Sequence, residues 1–273
     1  MPPGSGCRPA DAFRAERLYE MRFRVRTILH TIRADTPLTS LLRRAGVFFL
    51  PSTWDGQPNE VPTIWIATEG CQWMPGAGCT MCNYGAFSGS VDTLATLSAV
   101  EHLLIPLRGE YPLVHLAPAG SFFDEREVEP ALRRGLLRLI RAQPGICALG
   151  VESRPEFVTD QLLAEASELL AGRAGDDPIG LTVGLGLECV DELAREACVN
   201  KGTRLADILG AMDRIRSATR TRSGVRFGTE IHVLLKPPFL TEREAMEDSE
   251  AAIRWACSQR ADRVIFMLNG IKE

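Results

Sequence analysis

Long hydrophobic runs are missing from this sequence of 273 residues, although 45% of its residues are hydrophobic and 24% are charged. No apolar stretch approaches the roughly 20 residues that a transmembrane helix needs. The first six residues also lack the basic and then apolar pattern of a secretory signal. We therefore expect a cytoplasmic globular protein without membrane contacts, long enough for one α/β barrel.

Lysines are also few, and the chain has no excess of positive charge. The formal net charge is -4, and three of the 31 basic residues are lysines. This balance argues weakly against a broad nucleic-acid-binding surface. Residues 1–50 nevertheless hold nine arginines and four acidic residues. A basic arm of this kind is able to contact RNA or another anion, but a solvated helix face has the same pattern, so both interpretations stay open.

A disulfide framework is not indicated by the eight cysteines. Five of them are scattered through apolar or helical stretches, as expected of reduced thiols in a reducing compartment: Cys7, Cys147, Cys189, Cys198 and Cys257. The other three, Cys71, Cys79 and Cys82, lie within twelve residues in the pattern C-x7-C-x2-C. Glycines and a proline between them allow the loop to fold back on itself.

Three interpretations of this cysteine loop compete. The cysteines are small buried residues, or they form a structural zinc site or a redox pair at Cys79 and Cys82, or they hold a [4Fe–4S] cluster with one open iron. A glycine-rich turn is a poor place for core packing. Because three thiolates leave one metal position unfilled, and no His or fourth Cys lies nearby, we favour the cluster.

The rest of the chain alternates between candidate strands and candidate helices. An amphipathic helix is predicted from Asp11 to Ile32. Strands are predicted near 63–68, 113–117, 147–152, 181–187, 229–235 and 263–268, with helical patterns between them and a capping box at Thr241-x-x-Glu244. This alternation predicts right-handed βαβ units and a parallel sheet. We expect an N-terminal helical extension (1–60) packed on the main domain (61–273).

Within the predicted strands, apolar residues share one face and polar residues share the other. The polar face combines glycines with charged or titratable side chains: Gly150, Gly184, Gly186, Glu152, Arg154, Glu188, Glu230, His232 and Lys236. Burying so many unpaired charges would cost several kcal/mol each. We therefore expect them to line a wet or ligand-filled cavity at the carboxyl ends of the strands.

The cysteine loop and five later segments together resemble the radical SAM superfamily. These segments are Gly120–Asp124, Val151–Glu156, Gly184–Glu188, Asn200–Gly202 and Leu235–Glu242. They are similar to the branch that contains the archaeosine-synthase radical SAM subunit and the radical SAM domain of the Elongator catalytic subunit. The resemblance covers roughly residues 60–270. It implies an α/β fold, a partial (β/α)6 TIM-like barrel with parallel strands.

The resemblance also implies roles for site residues. Cys71, Cys79 and Cys82 would each bind one iron, and S-adenosylmethionine (SAM) would chelate the fourth iron. Cofactor binding would involve Gly120, Ser121, Phe122, Glu152, Arg154 and Glu188, with Arg154 suited to a carboxylate. Catalysis would involve Glu230, His232 and Lys236. For each of these charges, an ion pair that braces the mouth of the barrel is the alternative. His115 is expected to be a satisfied core histidine, and Asn200–Gly202 reads equally well as the end of a helix.

The implied activity is reductive cleavage of SAM to methionine and a 5′-deoxyadenosyl radical, which abstracts hydrogen from a substrate. In the archaeosine branch the substrate is a lysine adduct of a 7-deazaguanine base on tRNA, and a C–N bond is cleaved. A small metabolite or nucleoside is considered beside tRNA, with flavodoxin or ferredoxin as the electron donor. The alternative from another class is a zinc-stabilised α/β barrel that binds a ligand without catalysis.

Overall fold

A computed structural model describes residues 14–21, 45–54, 57–76, 78–82, 89, 91–171, 177–220 and 224–268. In these residues seven strands form one sheet, with each strand next to its successor in the chain. The strands are β1 (Ala45–Trp54), β2 (Gln57–Ile66), β3 (Leu113–Pro118), β4 (Ala148–Glu152), β5 (Gly180–Glu188), β6 (Phe227–Leu234) and β7 (Arg263–Met267). β1 pairs antiparallel with β2, and all later pairs are parallel.

Helices separate the parallel strands. They are α1 (14–21), α2 (Thr93–Leu104), α3 (Pro130–Arg141), α4 (Asp160–Leu170), the short turn α5 (Glu192–Ala194) that continues as a π-helix to Val199, α6 (Leu205–Ala218) and α7 (Glu242–Ser258). The predicted capping box opens α7: the Thr241 hydroxyl accepts the Glu244 N–H, and Glu244 accepts the Thr241 N–H. None of the described helices is both long enough and apolar enough to cross a membrane.

The predicted partial barrel is confirmed, with the six predicted parallel strands present as β2 to β7. The antiparallel strand β1 was not predicted, because residues 45–60 had been assigned to the helical extension. The prolines in this hairpin argue against strands when the sequence is read locally. Pro51 lies on the edge strand, and Pro58 and Pro62 lie outside the part of β2 that pairs with β3, so no ladder between central strands loses a donor.

The N-terminal segment packs on the barrel through α1. Leu18 is completely buried in a cluster with Cys79 and Cys198. Arg14 and Arg17 both form ion pairs with Glu244 at the start of α7. The predicted helix from Asp11 to Ile32 is described only at residues 14–21, and the proposed division of the chain at residue 60 stays a prediction.

The core lies between the helices and the outer face of the sheet. The apolar faces predicted for three strands are found there, with Leu149, Val183 and Ile231 fully buried. Leu235 was predicted to belong to this apolar face. It lies instead just beyond the end of β6 and is 39% exposed. The inner face of the same strands therefore holds the polar residues and is the place to look for a site.

Candidate functional site

The cysteine loop begins directly after β2, at the carboxyl end of the parallel strands. Hydrogen bonds fold it back on itself: Met74 N–H to Cys71 O (2.9 Å), Gly78 N–H to Trp73 O (3.1 Å) and Cys82 N–H to Cys79 O (3.2 Å). Gly78 has φ 62°, a backbone conformation that favours glycine. As a result, Cys79 is buried while Cys71 and Cys82 are half-buried.

The turn that ends the π-helix holds this loop in place. Asn200 adopts a left-handed conformation (φ 55°) and donates its side-chain amide to Gly78 O at 2.6 Å. The backbone carbonyl of Asn200 accepts the indole N–H of Trp73 at 2.7 Å. The Trp73 ring also covers Gly202, where an added Cβ would stand 2.3 Å from a ring carbon. The Asn200–Gly202 segment therefore ends a helix, as one interpretation expected, and also positions the cysteine loop.

A buried ion pair lies beside the cysteines. Lys201 Nζ is 2.6 Å from Glu188 Oε1, and both side chains are almost completely buried. Burial by itself would lower the pKa of Lys201, but the negative charge of Glu188 and the hydrogen bond to it raise that pKa, so the lysine stays charged. Gly186 makes room for the pair, since an added Cβ would stand 2.3 Å from Lys201 Nζ. Lys201 was not predicted as a site residue.

Arg154 braces the same turn. Its guanidinium donates to Lys201 O (2.9 Å) and to the Thr203 hydroxyl (3.1 Å), pairs with Glu156 at 2.5 Å and lies 5.1 Å from the centre of the Trp73 ring. These contacts are the kind that the bracing alternative expects, and the cofactor-binding role of Arg154 stays a prediction. A carboxylate ligand would have to compete with these contacts.

Burial raises the pKa of both the Cys71 and Cys79 thiols. The positive charges of Lys201 and Arg154 act in the opposite direction, because they favour the thiolate. The carboxylates of Glu127 and Glu188 act together with burial, because Glu127 raises the pKa of Cys71 and Glu188 raises that of Cys79. Charges of both signs therefore act on the cysteine loop.

The three cysteines share one loop but do not form a preorganised metal centre. In the part of the chain that the structure describes, no group of three His, Cys, Asp or Glu side chains converges as metal ligands do. The donor set itself suits an iron–sulfur cluster, because all three candidate ligands are thiols. The assignment of Cys71, Cys79 and Cys82 as metal ligands remains a prediction.

A buried carboxylate joins the loops that follow β2 and β3. Glu127 accepts the Ser121 N–H at 2.6 Å and the Thr68 hydroxyl at 2.9 Å. Burial raises the pKa of Glu127 to about 7, although these hydrogen bonds act to lower it. Gly120 fits between the two loops, since an added Cβ would stand 2.5 Å from Glu127 Oε2 and 2.6 Å from the Cβ of Cys71. Glu127 was missed in the sequence.

The three predicted cofactor-binding residues after β3 are placed differently from one another. Gly120 lies against Cys71, at the mouth of the barrel. The Ser121 hydroxyl is buried and accepts the Arg154 N–H at 3.1 Å. Phe122 is completely buried, and its N–H donates to Glu152 O at 2.9 Å. Gly120 is thus the one of the three that lies against a cysteine of the loop.

Two of the predicted catalytic residues form a buried pair on the inner face of β6. His232 Nε2 lies 2.8 Å from Glu230 Oε1, and Arg263 approaches the other carboxylate oxygen at 3.2 Å. Burial would lower the pKa of His232, but the hydrogen bond to Glu230 and the nearby charges of Glu152, Glu230 and Glu188 raise it to about 9. The pair therefore consists of a carboxylate and an imidazolium at neutral pH.

Lys236 and Glu152 differ in their surroundings. Lys236 follows β6, is 39% exposed, and donates to Leu240 O (2.8 Å) and to Glu242 (2.9 Å) at the start of α7. These contacts tie it to the start of α7. Glu152 ends β4 on the inner face, half-buried, beside the His232 ring across Gly184.

No family model matches this sequence. It is 29% identical over 202 residues to archaeosine synthase subunit beta from Methanosarcina acetivorans, covering 71% of this chain and 53% of that protein. It is 29% identical over 203 residues to archaeosine synthase subunit beta from Thermococcus kodakarensis, covering 72% of this chain and 59% of that protein. The chain thus spans little more than half the length of the curated relatives that it matches.

The structure of methylornithine synthase (PylB) aligns over 99% of this chain and 66% of that chain, with a TM-score of 0.55 and 13% sequence identity. At this identity the alignment shows a shared fold. The structure of the radical S-adenosylmethionine methyltransferase TsrM from Kitasatospora setae aligns over 76% of this chain and 35% of the TsrM chain. Its sequence identity is 18% and its TM-score is 0.46.

Proposed function

We propose that this chain belongs to the radical SAM superfamily and is an enzyme that cleaves SAM reductively and abstracts hydrogen from a substrate. The observation that carries the proposal is the loop of Cys71, Cys79 and Cys82. Three thiols follow the parallel strand β2 at the mouth of the barrel, and the side chain of Asn200 is hydrogen-bonded to their loop.

A [4Fe–4S] cluster held by these thiolates, with SAM on its open iron, would supply the electron that cleaves the sulfur–carbon bond of SAM. The chain's own residues would keep that chemistry dry and oriented. Asn200 and Trp73 hold the loop closed, and Lys201 offsets the negative charge of the thiolates.

Other residues would position SAM. Glu127 orients the loop around Gly120 and Ser121 next to Cys71, where superfamily members contact the amino group of SAM. Glu188 lies at the barrel mouth and would accept ribose hydroxyls while Lys201 holds its other side. The Arg154 guanidinium is committed to the Lys201–Thr203 turn, so we assign it a positioning role.

For the substrate, the two relatives named archaeosine synthase subunit beta support archaeosine formation, which the resemblance implies to act on a modified 7-deazaguanine base on tRNA. A small metabolite is the second class to be tested. An electron donor such as flavodoxin or ferredoxin would reduce the cluster. Binding of tRNA would weaken steeply as salt is raised, because phosphate contacts release counterions, so a gel shift across a salt series tests for it.

Anaerobic reconstitution with iron and sulfide tests the proposal. We expect bound iron, broad visible absorbance and formation of 5′-deoxyadenosine when reductant and SAM are added. The Cys79→Ala variant should lose the iron and the 5′-deoxyadenosine completely, since a single missing thiolate opens a second iron.

Cys257→Ala is the matched control, because Cys257 is exposed on α7, away from the loop. This variant should keep iron and activity at the wild-type level. Equal iron in both variants would contradict the ligand assignment. A colourless protein that binds one zinc would support the zinc-stabilised binding barrel instead.

A further inference from the structure

The inner wall of the barrel is filled by its own side chains. The His115 ring occupies the space over Gly150, and its buried Nε2 has no hydrogen bond, so the expectation of a satisfied core histidine is wrong. Glu230 is already paired with His232 and Arg263. The mouth of the barrel differs from this wall, because a helix of the N-terminal segment covers part of it.

Helix α1 lies across two loops that follow neighbouring strands of the barrel. Arg14 contacts Asp191, which lies beyond β5, at 3.0 Å and Glu244, which lies beyond β6, at 3.1 Å. Arg17 also contacts Glu244, at 2.9 Å. Since both acidic residues follow the carboxyl ends of their strands, α1 lies at the same end of the barrel as the cysteine loop.

One side of α1 is buried. Leu18 has no exposed surface and belongs to an apolar cluster that also contains Cys79 and Cys198. Glu16, on the same helix, is exposed. Leu18 therefore holds α1 in place by burial of its apolar side chain, whereas the ion pairs of the two arginines are partly exposed and contribute less.

The π-helix connects α1 to the cysteine loop. The thiol of Cys198, in this π-helix, is close enough to Arg14 and Arg17 for their charges to act on it. The end of the same π-helix accepts hydrogen bonds from Thr80, whose N–H and hydroxyl both donate to its carbonyl groups. Because Thr80 directly follows Cys79, α1 packs on the element that holds one of the candidate ligands.

We propose that α1 is a strap over the cysteine loop, in which Leu18 is a positioning residue that keeps the Cys79 thiol away from solvent. Release of α1 would uncover the π-helix, loosen its contacts with Thr80 and open Cys79 to small molecules. The closed strap would keep water and oxygen from an iron–sulfur cluster on this loop. The inference rests on the proposed function for that cluster, while the shielding of the thiol is a property of the chain itself.

Alkylation of the reduced, cluster-free full chain with N-ethylmaleimide, followed by peptide mass spectrometry, measures the exposure of each cysteine separately. Leu18→Ala should speed the labelling of Cys79 and Cys198 by about tenfold or more, because truncation of a buried leucine weakens the packing of α1. Leu18→Met keeps the volume and should label nearly as wild type does. Arg14→Gln combined with Arg17→Gln should give a smaller increase of about threefold, since partly exposed ion pairs contribute little.

Cys189 is the internal control for general unfolding. It is buried in the same cluster, but the charges that act most on its thiol are those of Asp248 and Arg195. Its labelling should stay at the wild-type rate in each folded variant. Glu16→Gln, an exposed change on α1, is the matched control variant and should leave all the rates unchanged.

The proposal is overturned if Leu18→Ala labels Cys79 at the wild-type rate. It is also overturned if Cys189 is accelerated as much as Cys79, because the whole domain then unfolds more often. If Leu18→Ala does not fold, the double arginine variant is judged by the same two criteria. In air, the visible absorbance of reconstituted Leu18→Ala should decay several-fold faster than that of Leu18→Met, and equal decay would contradict shielding of the cluster.

Failure of the strap and failure of the proposed function have different signatures. If the reconstituted protein forms 5′-deoxyadenosine but Leu18→Ala leaves the labelling of Cys79 unchanged, the strap is wrong and the enzyme class stands. If α1 shields Cys79 but the wild-type protein binds no iron, the strap stands as a property of the fold and the proposed reaction is wrong.

Discussion

The two faces of the parallel strands differ sharply in the polarity of the side chains that they carry. On β4, Leu149 and Val151 point outward and are buried under helices, while Gly150 and Glu152 point inward. The outer face holds the sheet to its helices by hydrophobic burial. The inner face instead carries polar groups that lie over glycines and that pair with one another.

This difference separates stability from ligand binding along a single strand. A closed barrel would fill its interior with branched apolar side chains. Here the interior keeps charges, whose desolvation is offset by the pairs Glu188–Lys201 and Glu230–His232. Changes on the outer face should therefore act on folding alone, and changes on the inner face should act on both folding and binding.

The largest effect is expected from breaking a buried inner pair. Lys201→Met leaves Glu188 buried without its partner, so the free energy of unfolding should fall by about 3–5 kcal/mol. Adding Glu188→Gln to this variant should restore part of the loss, because no uncompensated charge remains. Urea denaturation measures both changes.

Lys236→Met is the control for this prediction. Lys236 is also ion-paired, but its partner Glu242 is 87% exposed and the lysine side chain 39% exposed. Exposed pairs contribute about 0–1 kcal/mol, so this variant should remain close to wild type. A similar loss for both lysines would remove the distinction between the buried inner pair and the exposed one.

Neighbouring residues of β4 allow the two faces to be compared directly. Leu149→Ala deletes outer-face volume and should cost about 2–5 kcal/mol. Gly150→Ala adds a methyl group against the His115 ring, and such overpacking should cost about 1–3 kcal/mol. Unfolding midpoints measure both values.

The smallest effect concerns pH and the Glu230–His232 pair. The folded-state pKa of His232, about 9, lies above its ordinary value of 6.5. Its contribution is therefore complete below pH 6.5 and is lost as the pH rises through about 9. We expect a loss on the order of 1–3 kcal/mol across this window.

The difference in free energy of unfolding between wild type and His232→Gln isolates this histidine from other groups that titrate at high pH. That difference should be largest below pH 6.5 and should fall to a smaller, constant value once the pH is well above 9. A difference that stays constant across the window would mean that His232 is not held as an imidazolium by Glu230.

Much of the barrel was predictable because periodicity acts locally. Alternation along β4, β5 and β6 predicted which residues face the helices and which face the interior. The hairpin of β1 and β2 was missed because its prolines are tolerated only where a strand lacks a partner on one side, and neighbouring strands are not visible in a local pattern.

The site was predicted in its residue types and less well in its contacts. Cysteine spacing pointed to the loop, and strand parity pointed to Glu152, Glu230 and His232. Glu127 and Lys201 were missed, because each acts on residues far away in the chain: Glu127 on Thr68, and Lys201 on the cysteines. The sequence did contain one signal for Lys201, because only three of the 31 basic residues in the chain are lysines.

The sequence alone determined the order of strands and helices, the apolar and polar faces, and the loop that carries three thiols, because each depends on residues close together in the chain. The tertiary structure decided which charges pair and how the Asn200–Gly202 turn holds the cysteine loop. These depend on the register of neighbouring strands and on glycines that admit a side chain from another strand, and both arise only when the sheet curls.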